Sequence, residues 1–291
     1  MTQVAYQGTT GSYSETTIRG HFGLEAEPLP CETFADVLST VERGNAEYGM
    51  LPVENSIAGS VNWSYELLME HDLRIYAEVI LRVRHLLLAA EGTRLEDVHT
   101  VRSHPQALAQ CAHYLERHGF AAEAAADTAG AAHDLSLAPE PGVAVIAGRR
   151  AAEVTNLAVL DQAIEDSLFN YTRFFALSIH DAPRADRSKT SIVFTTPHRS
   201  GALYECLGEF ASRGVSLCKI ESRPRAARPW QYIFYLDFEG HCQDPPCEAA
   251  LSGMLRRSSF VKMLGSYPAA TTPVAEPQES NSQPEAPEVH R

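Results

Sequence analysis

The sequence predicts an α/β fold followed by a smaller α/β unit, and two observations lead to this prediction. From Val4 to about residue 181, short apolar runs alternate with helical stretches, which is typical of a sheet with helices on both faces. After a polar, Pro-containing stretch, the order becomes strand, helix, strand, strand, helix, strand, the ferredoxin-like βαββαβ arrangement. We therefore place a first domain at residues 1–181, a linker at 182–188 and a second domain at 189–267.

The first domain begins with a strand at residues 4–7, and its first helix starts at a capping box formed by Ser12 and Glu15. A second box, formed by Thr33 and Asp36, opens a helix over residues 34–43. The other apolar runs, read as strands, cover residues 48–53, 75–89, 98–102 and 143–147. The other helical stretches cover residues 62–70, 105–118 and 128–137.

The second domain is predicted to contain strands at residues 190–196, 217–223, 232–238 and 261–267, and helices at 201–213 and 246–257. In a unit of this size the helices cover one face of the sheet, so we expect association through a sheet edge or the open face. Residues 268–291 contain five prolines, four glutamates and no aromatic residue, which predicts a disordered tail.

Charge and motifs exclude several functions. The 291 residues include 37 acidic and 24 basic ones, and a formal charge of −13 disfavours nucleic-acid binding. The most apolar stretch is interrupted by Arg82, Arg84 and His85, which predicts no membrane span. The first residues lack a signal-peptide pattern, so we expect a cytoplasmic protein. Metal-protease, P-loop and serine-hydrolase motifs are absent, so we expect neither a metal nor a cofactor.

Three segments could carry chemistry, and the first is the polar cluster Glu54-Asn55-Ser56. It follows an apolar strand and precedes a Gly-containing loop and a helix. Strand ends beside helix starts bind ligands in open α/β sheets, and the free N–H groups of the helix favour an anion. The alternative is that Asn55 and Ser56 only cap and turn the chain.

The second segment runs from Ser103 to Cys111, with Pro105 suited to a first helical turn. Gln106 and Gln110 lie off the apolar face of this helix, on the side of Ser103, so one ligand could meet Ser103 and Gln110 together. The alternative is that both glutamines are simply solvated.

The third segment contains Asn170 to Phe175. If it is extended, Thr172 shares a face with Asn170 and Phe174, whereas Arg173 lies on the opposite face. Thr172 and Arg173 then cannot face one pocket unless the strand is bulged. The alternative is that Thr172 is only a good strand former.

Together these segments resemble prephenate dehydratases, enzymes of phenylalanine biosynthesis that carry a C-terminal regulatory ACT domain. The resemblance covers residues 4 to 267. One departure is the opening Gly-Thr-Thr-Gly, where the family often has Gly-Pro-x-Gly. It rests on GTTGSYSE at 8–15, PVENS at 52–56 with GSV at 59–61, SHPQALAQC at 103–111, DTAGAA at 127–132, Asn170 with TRF at 172–174, GALY at 201–204 and ESRP at 221–224.

The resemblance implies a catalytic domain folded like type II periplasmic binding proteins, with two α/β lobes around an active-site cleft. It implies prephenate as substrate, phenylalanine as allosteric effector, no metal or redox cofactor, and a homodimer or homotetramer assembled through ACT domains. Arogenate dehydratases share most of these motifs, so arogenate remains an alternative substrate. A non-catalytic amino-acid sensor is a further alternative, against which the intact Asn-x-Thr-Arg-Phe motif argues.

The resemblance also implies roles for individual residues. Thr172 would hydrogen-bond the departing hydroxyl, with the proton relayed by water or Glu54, and helix-start N–H groups together with Arg173 or another basic residue would hold the carboxylates. The implied catalytic residues are Thr172, Glu54, Asn55, Ser103 and Gln110. The implied substrate-binding residues are Ser12, Ser56, His104, Arg173 and Phe174. The implied effector-binding residues are Gly201, Ala202, Leu203, Glu221, Ser222, Arg223 and Pro224.

Overall fold

Three β-sheets organise the chain in the computed structural model, which describes residues 1–225, 228–270 and 272–274. The first sheet and its helices form what we call the first lobe. Its strands, in spatial order, are β2 (Glu27–Cys31), β1 (Gln3–Gln7), β3 (Tyr48–Asn55), β11 (Tyr171–Ser178) and β5 (Arg74–Arg82), with β4 (Gly59–Ser60) paired to β3. Its helices are α1 (Tyr13–Phe22), α2 (Phe34–Glu42) and α3 (Asn62–Glu70).

The second sheet forms the second lobe, and the chain passes between the lobes twice, after β5 and before β11. Its strands, in spatial order, are β10 (Ala158–Gln162), β6 (Leu86–Ala89), β9 (Val143–Ala147), β7 (Thr100–Ser103) and β8 (Ala121–Ala124). Its helices are α4 (Pro105–Gln110), α5 (Ala112–His118), α6 (Thr128–Leu137) and α7 (Arg149–Thr155), and a 3-10 turn covers Leu95–Asp97. The predicted α/β fold is thus confirmed, with its strands divided between two sheets.

The third sheet is antiparallel and belongs to a C-terminal unit with the predicted βαββαβ order. Its strands, in spatial order, are β13 (Leu217–Arg225), β14 (Arg228–Glu239), β12 (Ser188–Thr195) and β15 (Phe260–Pro268), and its helices are α8 (Ala202–Ala211) and α9 (Pro245–Leu255). The helices cover one face. The other face is not open as expected, because Tyr235, Leu264 and Tyr267 share an apolar core with α3 and β5 of the first lobe.

The predicted helix over residues 105–118 is interrupted at Cys111, which separates α4 from α5. The carbonyl of Gln110 accepts the N–H of Asp166, 2.8 Å away, instead of an N–H of the next helical turn. The Asp166 carboxylate also accepts the N–H of His113 at 3.1 Å. The second passage between the lobes therefore ends α4 at Gln110.

The prediction of disorder from Pro268 onward is wrong for residues 268–270 and 272–274. β5 is an edge strand of the first sheet, and an edge strand has N–H and C=O groups without partners. Val274 uses this edge: it bridges Leu81 and donates its N–H to Ile80 at 2.8 Å. The N–H of Ala270 binds the Glu78 carboxylate at 3.0 Å. Residues 271 and 275–291, the remainder of the predicted tail, lie outside the described residues.

We expect truncation to separate these two parts of the C-terminus. Deleting residues 268–291 should lower the free energy of unfolding by about 1–3 kcal/mol, because the apolar contact of Val274 and the Glu78 hydrogen bond are lost. Deleting only residues 275–291 should leave it unchanged, since that composition cannot form a core. Urea unfolding of both truncated proteins measures the difference. Equal stability of the two would contradict a stabilising role for residues 268–274.

Among the described residues, no helix combines the length and apolar character needed to cross a membrane. The cytoplasmic location stays a prediction.

Candidate active site

A cavity of about 350 Å³ lies where the two lobes meet the passages between them. Both lobes contribute to its wall. The first lobe contributes Tyr13, Ser14, Phe34, Pro52, Asn55, Val61, Thr172 and Phe174. The passage after β5 contributes Val83 and His85. The second lobe contributes His104, Gln106, Ala107, Gln110, Asp127 and Thr128. Five residues predicted for the site are therefore brought together: Asn55, His104, Gln110, Thr172 and Phe174.

The pairing of β3 with β11 decides which motif residues face this cavity. Thr172 lies opposite Asn55, and Arg173 lies opposite Glu54. Residues directly opposite each other in neighbouring strands share one face of the sheet. Thr172 and Asn55 therefore face the cavity together, while Arg173 and Glu54 face the C-terminal unit. The predicted alternation of Thr172 and Arg173 is confirmed.

A chain of amides fixes the orientation of the Thr172 hydroxyl. Asn55 Oδ1 accepts the N–H groups of Ile57 and Ala58, at 3.0 and 2.9 Å, so Nδ2 is the donor end of the Asn55 amide. Asn55 Nδ2 donates one proton to Asn170 Oδ1 at 2.8 Å, and Thr172 Oγ1 and the carbonyl of Tyr171, each 3.1 Å away, share the other. Because the Thr172 oxygen accepts this bond, its own proton is available to a group in the cavity.

The same chain continues to the second lobe. Asn170 Nδ2 donates to Gln110 Oε1 at 2.9 Å, and His85 Nε2 lies 2.8 Å from the same oxygen. His85 Nδ1 lies 2.8 Å from the Tyr13 hydroxyl. Burial lowers the pKa of His85, more than its hydrogen bond to Gln110 raises it, so the imidazole is neutral near pH 7.

The sequence pattern did not indicate His85, Tyr13 or Asn170 as site residues. The signal for His85 was a polar side chain inside the apolar run of residues 75–89. Its partners come from both lobes, and periodicity does not show which lobes meet.

Neither Glu54 nor Arg173 lines the described cavity, and their proposed roles in catalysis and in substrate contact stay predictions. Arg173 Nε lies 2.6 Å from Glu78 Oε1, and Arg173 Nη2 lies 2.7 Å from Asp237 Oδ2. Glu54 lies 2.9 Å from the ammonium of Lys219. Both residues instead join the first lobe to the C-terminal unit by ion pairs.

Three serines proposed for the site also lie outside the cavity lining. Ser103 is fully buried and donates to the carbonyl of Ile146 at 2.7 Å, which ties β7 to β9. Ser12 caps α1 by accepting the N–H of Glu15 at 3.4 Å. Ser56 donates to the carbonyl of Phe169 at 2.7 Å. Each hydroxyl is used to fix a backbone segment that borders the cavity.

The residues of the proposed effector motifs lie in two different places in the C-terminal unit. Gly201, Ala202 and Leu203 line a second cavity, of about 370 Å³, at the start of α8 in the C-terminal unit. Ser222 is exposed and pairs with Phe234, which lines the same cavity; Pro224 is exposed as well.

Glu221 and Arg223 contact the first lobe, and their proposed effector contact stays a prediction. Glu221 accepts a hydrogen bond from Ser60, and Arg223 donates one to Asn62. These two side chains of β13 therefore join the C-terminal unit to the first lobe.

Comparison with known proteins assigns the chain to a family. The prephenate dehydratase family model matches residues 4–182. The chain belongs to the prephenate dehydratase family. Arogenate dehydratase/prephenate dehydratase 2 of Arabidopsis thaliana, a chloroplastic protein, is 40% identical over 281 residues, covering 93% of this chain and 74% of the relative.

Two solved structures are similar over nearly the whole chain. A prephenate dehydratase from Arthrobacter aurescens in complex with L-Phe is 30% identical, with a TM-score of 0.84 and coverage of 94% of this chain and 93% of that one. GqqA, described as a novel type of quorum quenching acylase, is 34% identical, with a TM-score of 0.85 and coverage of 92% and 98%. Both likenesses cover the C-terminal unit as well as the residues that the family model matches.

Proposed function

We propose that this prephenate dehydratase family member converts prephenate to phenylpyruvate, CO2 and water. In this reaction a carboxylate leaves as CO2 and the ring hydroxyl leaves as water, while the ring becomes aromatic. The observation that carries the proposal is the Thr172 hydroxyl, whose oxygen is occupied by Asn55 and whose proton is left for the cavity. A hydroxyl held in this way can donate to the departing ring hydroxyl as negative charge develops on it.

In this proposal, the remaining rate acceleration comes from positioning of the two leaving groups. The leaving carboxylate and hydroxyl must be aligned, and fixed geometry can lower a barrier by roughly 7–11 kcal/mol at best. The amide chain from Asn55 through Asn170 to Gln110 crosses between the lobes, so it holds donors from both sides of the cavity in one arrangement. The departing hydroxide needs a proton to become water, and since Glu54 is paired with Lys219 we assign the relay of that proton to a water molecule.

The two substrate carboxylates must be held largely by neutral donors. No Lys or Arg is among the residues that line the described cavity. Ser14 lies in the first turn of α1 and Thr128 in the first turn of α6, and the first N–H groups of a helix have no partner inside it. We assign the carboxylates to these helix starts and to the Gln110 amide.

The test of the proposal is direct. Purified protein incubated with prephenate should release phenylpyruvate, and parallel incubation with arogenate should show which substrate has the higher kcat/KM. Prephenate turnover supports the proposal. Turnover of arogenate alone would favour arogenate dehydratase, and turnover of neither would favour the sensor.

We also propose feedback inhibition by phenylalanine at the second cavity. Gly201 has a φ of 77° and adds no side chain there, so the start of α8 can approach a carboxylate closely. Lys219 offers a route to the active site, since its ammonium lies 2.9 Å from Glu54 and 3.2 Å from Glu221. Glu54 directly precedes Asn55 in the chain. A movement of β13 would displace Lys219 and with it Glu54, and this would shift the Asn55 amide that orients Thr172.

Phenylalanine should bind the wild-type protein and lower its apparent substrate affinity roughly five-fold or more. Gly201→Val should lose binding, because a β-branched residue is strained at this φ. Lys219→Met should keep binding and lose most of the inhibition. Calorimetry and turnover measured on the same samples separate the two effects.

Lys262→Met is the matched control for Lys219→Met. Lys262 also reaches from the C-terminal unit to the first lobe, but it binds the carbonyls of Leu68, Met69 and His71 at the end of α3, away from Glu54. Its inhibition should stay like that of the wild type. Equal loss of inhibition in both lysine variants would refute the proposed route through Glu54.

The domain limits 1–181, 182–188 and 189–267 and a homodimeric or homotetrameric assembly remain part of this proposal. The place of β13 at an edge of the third sheet supports pairing between chains.

A further inference from the structure

The imidazole of His85 is held at the junction of the two lobes. It is 2% exposed, and its backbone N–H donates to Glu165 Oε2 at 2.9 Å. The ring reaches Tyr13 of the first lobe through Nδ1 and Gln110 of the second lobe through Nε2, both at 2.8 Å. It also lines the cavity that contains Thr172.

The hydrogen-bond chain determines which nitrogen of His85 carries the proton. Because backbone N–H groups fix the Asn55 amide, Asn170 must accept at Oδ1 and donate at Nδ2. Gln110 must then accept at Oε1. A carbonyl oxygen cannot donate, so His85 Nε2 carries the proton, and Nδ1 of the neutral ring has none. The Tyr13 hydroxyl lies 2.8 Å from Nδ1 and 2.9 Å from the carbonyl of Arg84, so these two acceptors share its single proton.

This tautomer has a consequence for Gln110. Asn170 and His85 both donate to Gln110 Oε1, which occupies its two lone pairs and fixes the amide plane. Within the part of the chain that the structure describes, no protein acceptor takes the N–H bonds of Gln110 Nε2. These two donors are therefore left for a ligand in the cavity, on a wall without Lys or Arg.

We propose that His85 is a positioning residue: as the neutral Nε2–H tautomer, it holds the Gln110 amide so that its NH2 group binds an oxygen of the substrate, which we take to be a carboxylate oxygen. This inference rests on the proposed function for the identity of the substrate. The assignment of the proton to His85 Nε2 does not depend on which substrate is bound.

Kinetic tests use two variants of similar size. His85→Gln keeps an NH2 donor near the position of Nε2, whereas His85→Met removes it. His85→Met should raise KM about five- to tenfold with a smaller fall in kcat, because a carboxylate is bound in both the ground state and the transition state. His85→Gln should recover most of this loss. Equal losses in both variants, or an unchanged KM in His85→Met, would overturn the proposal.

A double-mutant cycle separates positioning from packing. If His85 acts through Gln110, adding His85→Met to Gln110→Met should change kcat/KM less than about twofold. A structural role in the junction would instead give losses that add, and additive losses would refute the proposal.

A spectroscopic test does not require turnover. In 15N-labelled wild-type protein at neutral pH, the histidine signal that disappears in His85→Gln should show a protonated Nε2 and an unprotonated Nδ1. A protonated Nδ1 would overturn the assignment. This result stays informative if neither prephenate nor arogenate is converted, so failure of the inference and failure of the proposed function are distinguishable.

Discussion

Replacing Thr172 by Val should lower kcat by a factor on the order of 10² or more, with far less effect on KM. The hydroxyl is expected to bind the departing oxygen most strongly in the transition state, and such contacts appear in kcat. Val is nearly isosteric with Thr. Asn55 Nδ2 keeps its bonds to Asn170 Oδ1 and to the carbonyl of Tyr171, at 2.8 and 3.1 Å, so the variant leaves no buried donor unpaired.

Initial rates of phenylpyruvate release across a range of prephenate concentrations measure both parameters. Thr172→Ser should retain measurable activity, since it keeps the hydroxyl. Thr155→Val is a matched control, because Thr155 uses its hydroxyl within α7, on the carbonyl of Ala151 at 2.6 Å, away from the cavity lining. Turnover near the wild-type level in a folded Thr172→Val protein would rule out the assigned role.

Elements with a strong local pattern were predictable from the sequence. The helix bounds 62–70 and 128–137 and the strand bounds 143–147 match the structure. β2 was not predicted, because it contains Pro28 and Pro30 and prolines are untypical of strands. They are tolerated here because β2 lies at the edge of the sheet. The division of the first domain into two sheets came from the family resemblance, since a strand pattern does not reveal which strand is its partner.

In the candidate site, too, the sequence predicted what depends on local geometry and did not predict the contacts between distant segments. Alternation along 170–175 predicted that Thr172 and Arg173 face opposite ways, and this depends only on local geometry. The substrate contact of Arg173 was taken from the motif and stays a prediction, while in the structure the C-terminal unit packs against that face. A motif shows which residues occur together, while their partners depend on folding of the whole chain.

Replacing Arg173 by Met should destabilise the protein by about 3–5 kcal/mol, because it leaves buried carboxylates without a counter-charge. Glu78 and Asp237 are 5% and 4% exposed. Glu78 keeps Lys189, whose ammonium lies 2.9 Å away. Asp237 has no second cation among the described ion pairs, so most of the cost should arise there. Urea unfolding measures the change.

A second substitution tests this explanation. Asp237→Asn added to Arg173→Met removes the uncompensated charge, so the double variant should be more stable than the sum of the single effects by roughly 0.5–3 kcal/mol. Arg102→Met is the control: Arg102 pairs with Glu123 and Glu140, but these carboxylates are about half exposed, so the loss should stay within about 1 kcal/mol. Equal losses for Arg173→Met and Arg102→Met, or no recovery with Asp237→Asn, would show that Arg173 does not join the first lobe to the C-terminal unit through a buried ion pair.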